Sequence, residues 1–352
     1  MLSNIAAALE ALPAFSAPRR AALEALLRHG LPSTKEEDWR YSDLSILDQL
    51  APEDISPSPR NHDFPSAYDC GLDALNAALS GGTETQTLQG NVEFDTGLHR
   101  RLRLKISGDV ELTLLDKTLS RFSTFFCVIE LAANARLRLV RVQGTDDKAQ
   151  RITQLKILLA RDAQLDAVTV DLGGQFARHD LTVHLNEPGA GVQLRGLYAP
   201  VGSERIDNHT WIHHHAPHCQ SRESFKGVVN DRARAVFNGK VIVHEGARKT
   251  DSETRVANLL LSRTAEVYAK PELEIYNDDV KCAHGATFGQ LDENAIFYLR
   301  ARGLDLDTAR GLLTYTFAHE ALNGIAHEGL RQHVRQRFLQ RLPQGRLLSD
   351  LL

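Results

Sequence analysis

Cys282 and His284 stand two residues apart in the stretch Lys270-Pro-Glu-Leu-Glu-Ile-Tyr-Asn-Asp-Asp-Val-Lys-Cys-Ala-His-Gly-Ala-Thr287. Alternate side chains of an extended strand share a face, so Asp278, Val280, Cys282 and His284 line one side, with Lys281 and Ala283 on the other. A thiol one side-chain step from an imidazole, with a carboxylate along the same edge, can handle sulfur or a soft metal. Two such groups make half of a metal site, and no further ligands follow at finger-like spacing. Read blandly, the same pair is a small buried cysteine beside a hydrogen-bonded histidine, with Asp278 and Asp279 as turn residues.

A second cluster holds His209, His213, His214, His215, His218 and Cys219. As a strand it places His209, Trp211, His213 and His215 on one face and Thr210, Ile212 and His214 on the other. It contains no HExxH arrangement, and Pro217 breaks any helix that would align the rings differently. The favoured reading is structural, with histidines bonding between stacked strands or lining a subunit contact; a free-standing metal-dependent enzyme is the sharper alternative. Gly173-Gly174 and Gly189-Ala-Gly191 lack the P-loop lysine and the GxGxxG spacing, and no GxSxG elbow occurs. ATPase, hydride-transfer and serine-hydrolase chemistries are therefore poor readings.

The elements that must position these residues fall into three stretches. Residues 1–90 read as mainly helical with a linker. Met1 to Leu12 lacks a basic n-region and carries Glu10, so it suits a short helix better than a signal peptide. Pro18 to Arg28 is a helix ended by Gly30 and Pro32, and Thr34 with Glu37 matches a capping box for a second. Ala51 to Pro65 holds four prolines and suits a loop. Asp69 to Leu79 is a further short helix before Gly81-Gly82.

Over residues 91–290 the period changes to two. Strand candidates are Arg101–Ile106, Val110–Leu115, Ala135–Val142, Ile152–Leu159, Leu165–Leu172, His179–Leu185, Val192–Tyr198, Ala233–Phe237 and Leu273–Tyr276. Asn238-Gly239 reads as a tight hairpin turn or a turn between stacked strands. An all-β middle of this kind fits a sandwich, paired barrels or a stacked β-helix, and the last accommodates the length most easily because it grows along its axis. Residues 291–352 return to helix. Asp305 is a cap, Ala309, Leu313, Phe317 and Ala321 recur four apart, and Leu330, Val334, Phe338 and Leu342 form a stripe among arginines.

Composition narrows the function. With 41 basic and 45 acidic residues in 352, the net charge is -4, which argues against nucleic acid as a partner. Cys70, Cys127, Cys219 and Cys282 are far apart with no CxxC, the pattern of reduced cytosolic thiols. The most apolar run, Phe125 to Ala133, is interrupted by Glu130 and is too short to span a bilayer, so no membrane role is expected.

Several stretches carry a family resemblance: Lys35-Glu-Glu-Asp-Trp-Arg-Tyr-Ser-Asp43, Pro217-His-Cys-Gln-Ser-Arg-Glu-Ser-Phe-Lys-Gly227, Phe237-Asn-Gly-Lys240, Lys270 to Thr287, Gly289-Gln-Leu-Asp-Glu293 and Phe297-Tyr-Leu-Arg-Ala-Arg-Gly303. Together they resemble the SufB/SufD family of iron-sulfur cluster assembly proteins, nearest its SufD branch. That resemblance implies an all-β core, a right-handed parallel β-helix, between N-terminal and C-terminal helical regions. It implies a non-catalytic scaffold subunit that pairs with a SufB-like protein through the β-helices and binds a SufC-like ABC-type ATPase through its C-terminal part. Sulfur would arrive indirectly from a desulfurase through a transfer protein. Carried over by position, Cys282 and His284 become this chain's share of an inter-subunit site for a transient iron-sulfur cluster, with His284 the stronger iron ligand. The resemblance also associates reduced flavin with the three-subunit assembly, although this chain has no flavin motif, and it leaves open whether the chain forms a homodimer in isolation. A β-helix enzyme acting on polysaccharide is the competing reading, and Asp278-Asp279 with Lys281 supplies only a faint version of the acidic groove it needs.

Overall fold

The computed structural model describes residues 2–12, 15–97, 99–117, 120–144, 148–343, 345 and 348. Three helices come first: α1 (Leu2–Glu10), α2 (Ala17–His29) and α3 (Gly71–Ser80). Gly30 ends α2 and donates its N–H to the Leu26 carbonyl, and Gly81 ends α3 in the left-handed conformation that favours glycine. The capping box expected at Thr34 does not start an α-helix. Only a single 3-10 turn forms there, Glu37–Trp39, preceded by Glu36 without a side-chain cap. Tertiary packing overrides the local signal, because Trp39 is buried against Arg178, whose guanidinium carbon lies 3.5 Å from the ring centroid.

Fourteen strands follow: β1 (Glu84–Asp95), β2 (Arg100–Leu115), β3 (Phe122–Leu131), β4 (Arg136–Gln143), β5 (Gln150–Leu159), β6 (Gln164–Asp171), β7 (Phe176–Leu185), β8 (Gly191–Tyr198), β9 (Arg205–His214), β10 (Gln220–Val229), β11 (Arg234–Val243), β12 (Asp251–Leu260), β13 (Glu266–Ile275) and β14 (Lys281–Gly289). From β2 to β12 each pairs in parallel with the strand two places on, and β2 also pairs β3, giving the order β13-β11-β9-β7-β5-β3-β2-β4-β6-β8-β10-β12-β14, with β1 paired to β2 off this path. The chain therefore coils between an odd-numbered and an even-numbered sheet that share β2, whose first half pairs β3 and whose second half pairs β4. Leucine, isoleucine, valine and phenylalanine from both sheets meet in one continuous core. A parallel β-solenoid results, built by adding coils of about thirty residues.

Arg101–Ile106 and Val110–Leu115, expected as two strands, are halves of the single β2. Asn238-Gly239 is not a turn: both residues lie inside β11, paired with His209 and Thr210 on one side and Lys270 and Pro271 on the other. A glycine is needed there because a Cβ at Gly239 would sit 2.7 Å from the Phe237 ring.

The N-terminal helices bury Ile5, Leu9, Leu26, Leu72 and Leu75 against Phe122, Ile152 and Phe176 of the odd sheet. At the other end stand α4 (Glu293–Ala301), α5 (Leu306–Leu322) and α6 (Glu328–Arg341). Asp305 caps α5 by accepting from the Thr308 N–H at 2.9 Å. The face of α5 that packs is centred on Tyr315, Ala318, Ala321 and Leu322; of the expected stripe, Ala309 and Ala321 are buried and Phe317 packs at the edge of this cluster, with Leu313 half-buried. With Val334, Phe338 and Leu342 of the following segment this face covers Val168, Val170, Leu197 and Val228 of the even sheet. No helix among the described residues is long and apolar enough to cross a membrane.

Candidate functional site

Cys282 and His284 lie on β14, the last strand of the even sheet. Asp278 does not share their face as a strand residue, because β14 begins at Lys281 and Asp278 falls in the preceding bend. Asp279 is likewise a corner residue, tied to Lys249 at 2.7 Å. The acidic pair that a polysaccharide-active groove would draw on is thus a turn feature.

Register shows where the two residues point. Ser221 pairs with Ser252 and Ser252 with Cys282; Glu223 pairs with Thr254 and Thr254 with His284; Phe225 pairs with Val256 and Val256 with Ala286. Phe225 and Val256 belong to the buried core, and Cys282 and Ala286 pack against it. Cys282 and His284 therefore end two inward-facing polar columns that run through the interior of the coil. One column is joined by hydrogen bonds: Ser221 donates to Ser252 at 2.7 Å, and His214 reaches Ser221 from the odd sheet at 2.9 Å. In the other, Thr254 donates to Glu223 at 3.1 Å. Burial raises the Glu223 carboxyl pKa to about 7.

The columns end in the open. Interior coils are buried almost throughout, whereas β13 and β14 are half-buried or exposed along their lengths. Val267, Ala269, Leu273 and Val280 close the core with only partial cover, and His284 is exposed beside them. Burial, and next the Asp251 carboxylate, push the Cys282 thiol above its usual pKa. In the isolated chain Cys282 is accordingly a thiol; a metal or a basic partner would be needed to make it a thiolate ligand.

The histidines of 209–218 are divided among different environments. His209 is buried, 2.8 Å from Asp207 and 3.3 Å from Arg178. His214 faces inward. His218 has positive φ in an exposed turn, and the Cys219 thiol donates to the Glu187 carbonyl at 3.3 Å. His213 and His215 face outward and meet His184 and His244, which sequence reasoning did not include. The signal that could have found them is the coil length, since His213 follows His184, and His244 follows His215, by the 29-residue register offset between successive strands of this sheet.

Parallel strands coiled into one core, flanked by helices at both ends of the chain, define the class of protein as a parallel β-solenoid, and its last strand carries a thiol and an imidazole. Residues 89–317 match the model for the SufBD core domain of the SUF system for FeS cluster assembly, and the chain belongs to the SufB/SufD family. It is 32% identical to the iron-sulfur cluster assembly protein SufD of Escherichia coli over 92% of each chain. An iron-sulfur cluster assembly SufBD family protein of Synechocystis is 34% identical over 61% of this chain and 48% of its own length. The Arabidopsis chloroplastic protein ABCI7 is 32% identical over 57% of this chain and 43% of its own.

Proposed function

We propose that this chain is the SufD-like subunit of a SufB-SufC-SufD scaffold that builds iron-sulfur clusters, and that Cys282 and His284 are its contribution to an assembly site shared with a SufB-like partner. The observation that supports the reading is the register of both residues with the inner-facing columns, on a terminal strand whose outer edge is unpaired among the described strands. A homologous coil from the partner would satisfy the unpaired strand edges and bury the half-exposed Val267, Ala269 and Leu273. It would also bring further ligands to the two present here, which are too few to hold a cluster alone.

In that assembly the imidazole of His284 takes iron while leaving the thiol of Cys282 free to hold sulfur or metal transiently. The chain itself is non-catalytic: ATP hydrolysis belongs to a SufC-like subunit docked on the helical region from residue 291 onward, and sulfur arrives through separate desulfurase and transfer proteins. Reduced flavin, where used, is assigned to the complex. Four unpaired cysteines suit work in the cytosol.

Co-expression with SufB-like and SufC-like proteins, followed by anaerobic reconstitution, tests the reading. The parent complex should gain iron and acid-labile sulfide. His284→Ala should assemble normally yet lose about tenfold or more in cluster yield, with Cys282→Ser affected less. Equal cluster yield from the parent and His284→Ala would remove the residue from the site, and failure of the three folded proteins to co-elute would remove the scaffold reading itself.

A further inference from the structure

On the outer face of the odd sheet, away from the polar columns, four histidines from three successive coils stack on one another. His184 on β7 is the register partner of His213 on β9. His215 follows β9, and His244 follows β11. The His184 and His213 ring centroids are 4.6 Å apart, and those of His215 and His244 are 4.2 Å apart, with interplanar angles of 16° and 12°. Nδ1 of His184 lies 3.0 Å from Nε2 of His215, and Nδ1 of His213 lies 3.3 Å from Nε2 of His244.

One ring nitrogen from each of His184, His213 and His215 falls within 4.8 Å of the others. Around a tetrahedral ion with bonds of about 2.0–2.1 Å, ligand nitrogens stand about 3.3 Å apart. The His184–His215 contact is already that close, and small rotations of partly exposed rings bring in the third. Lys156 faces His184 and His213 and opposes a cation, while Glu274 faces His213 and favours one.

We propose that His184, His213 and His215 form a binding site for a divalent transition cation, with His244 positioning His213 and His215. A set made only of neutral imidazoles suits Zn²⁺, Co²⁺, Ni²⁺ or Cu²⁺ and not Mg²⁺ or Ca²⁺. It faces outward from the odd sheet, whereas Cys282 and His284 face inward from the even one. An ion held here therefore occupies a place separate from the cluster assembly site.

The test uses the full chain without an affinity tag, stripped with chelator and titrated with Zn²⁺ by calorimetry and with Co²⁺ by visible spectroscopy. One saturable equivalent is expected, with four-coordinate Co²⁺ bands, no thiolate-to-metal charge-transfer band and no response to Mg²⁺. His213→Gln and His184→Gln should each weaken binding by about tenfold or more, while the double variant Cys282→Ser/His284→Ala keeps the equivalent. His244→Gln, which leaves the three ligands in place, should retain stoichiometry with a reduced affinity, and this covers the case in which a ligand variant misfolds by circular dichroism. Absence of a saturable equivalent in the parent would overturn the proposal. So would an equivalent that survives the ladder variants and disappears with Cys282 and His284, an outcome that would leave the scaffold reading untouched.

Discussion

Glu223 carries a full carboxyl group inside the coil, with the Thr210 and Thr254 hydroxyls as its neighbours. Its folded pKa of about 7 exceeds the ordinary value of 4.5, so its contribution to stability is complete below about pH 4.5 and is lost as pH rises to about 7. Glu223→Gln should remove that dependence and raise stability at pH 8 by an amount on the order of 1–3 kcal/mol. Denaturant melts of parent and variant at pH 5 and pH 8 measure it; curves that stay parallel would show that the carboxyl is ionised in the fold without penalty. At this scale the sequence was informative about Cys282 and His284, whose two-residue spacing survives as a shared inner face. It was silent about Glu223 and Thr254, which join them only through register across coils.

Among the elements, the segment from Lys35 to Asp43 behaves as a strap. Arg178 of β7 is fully enclosed, and its guanidinium meets Asp180 and Asp207 at 2.8 Å, the Ser42 hydroxyl at 3.0 Å and the Asp38 carbonyl at 3.2 Å, beneath the Trp39 ring. Removing one partner of such a buried network strands the others. Arg178→Ala should therefore cost about 3–5 kcal/mol, and limited proteolysis should then cut within residues 30–60 before the coil. Resistance equal to the parent would show that the strap is held by the apolar contacts of the N-terminal helices alone. In α4, Phe297 is 74% exposed with Tyr298 next to it, a cost that a docked partner would relieve. Phe297→Glu should weaken binding of a SufC-like ATPase by about tenfold or more, because truncating such an anchor costs upward of about 2 kcal/mol, while leaving the circular dichroism spectrum unchanged. Calorimetric titration that finds equal affinity would move the docking surface elsewhere. The strands with alternating leucine and valine were legible because their inner faces are apolar. β10 and β12 were not: Ser221, Glu223, Ser252 and Thr254 occupy inward positions, so the contrast between faces that reveals a strand is lost where the polar columns run.

For the whole molecule, the all-β class was within reach of the pattern of short strands, while the choice of a parallel β-helix over a sandwich or paired barrels came from the family resemblance. The coil period was harder to read, since corners of unequal length spread the register offset around a recurring 29 residues. One consequence follows from how the coils are stacked. Every strand from β3 to β12 is paired on both sides, whereas β13 pairs only β11, β14 only β12 and, at the opposite end, β1 only β2 among the described strands. In a structure stabilised by nearest neighbours, a terminal unit opens at lower free energy than those behind it. Amide hydrogen exchange should accordingly be fastest in β13 and β14 and slow progressively toward β5 and β6, and a SufB-like partner should reverse the gradient at that end. Uniform protection along the free coil would contradict this. Cys282 and His284 then belong to a lightly held terminal turn of the spiral; if they serve the proposed shared site, docking would fix their geometry, and metal bound there would strengthen the grip between subunits by the same factor that docking strengthens the grip on metal.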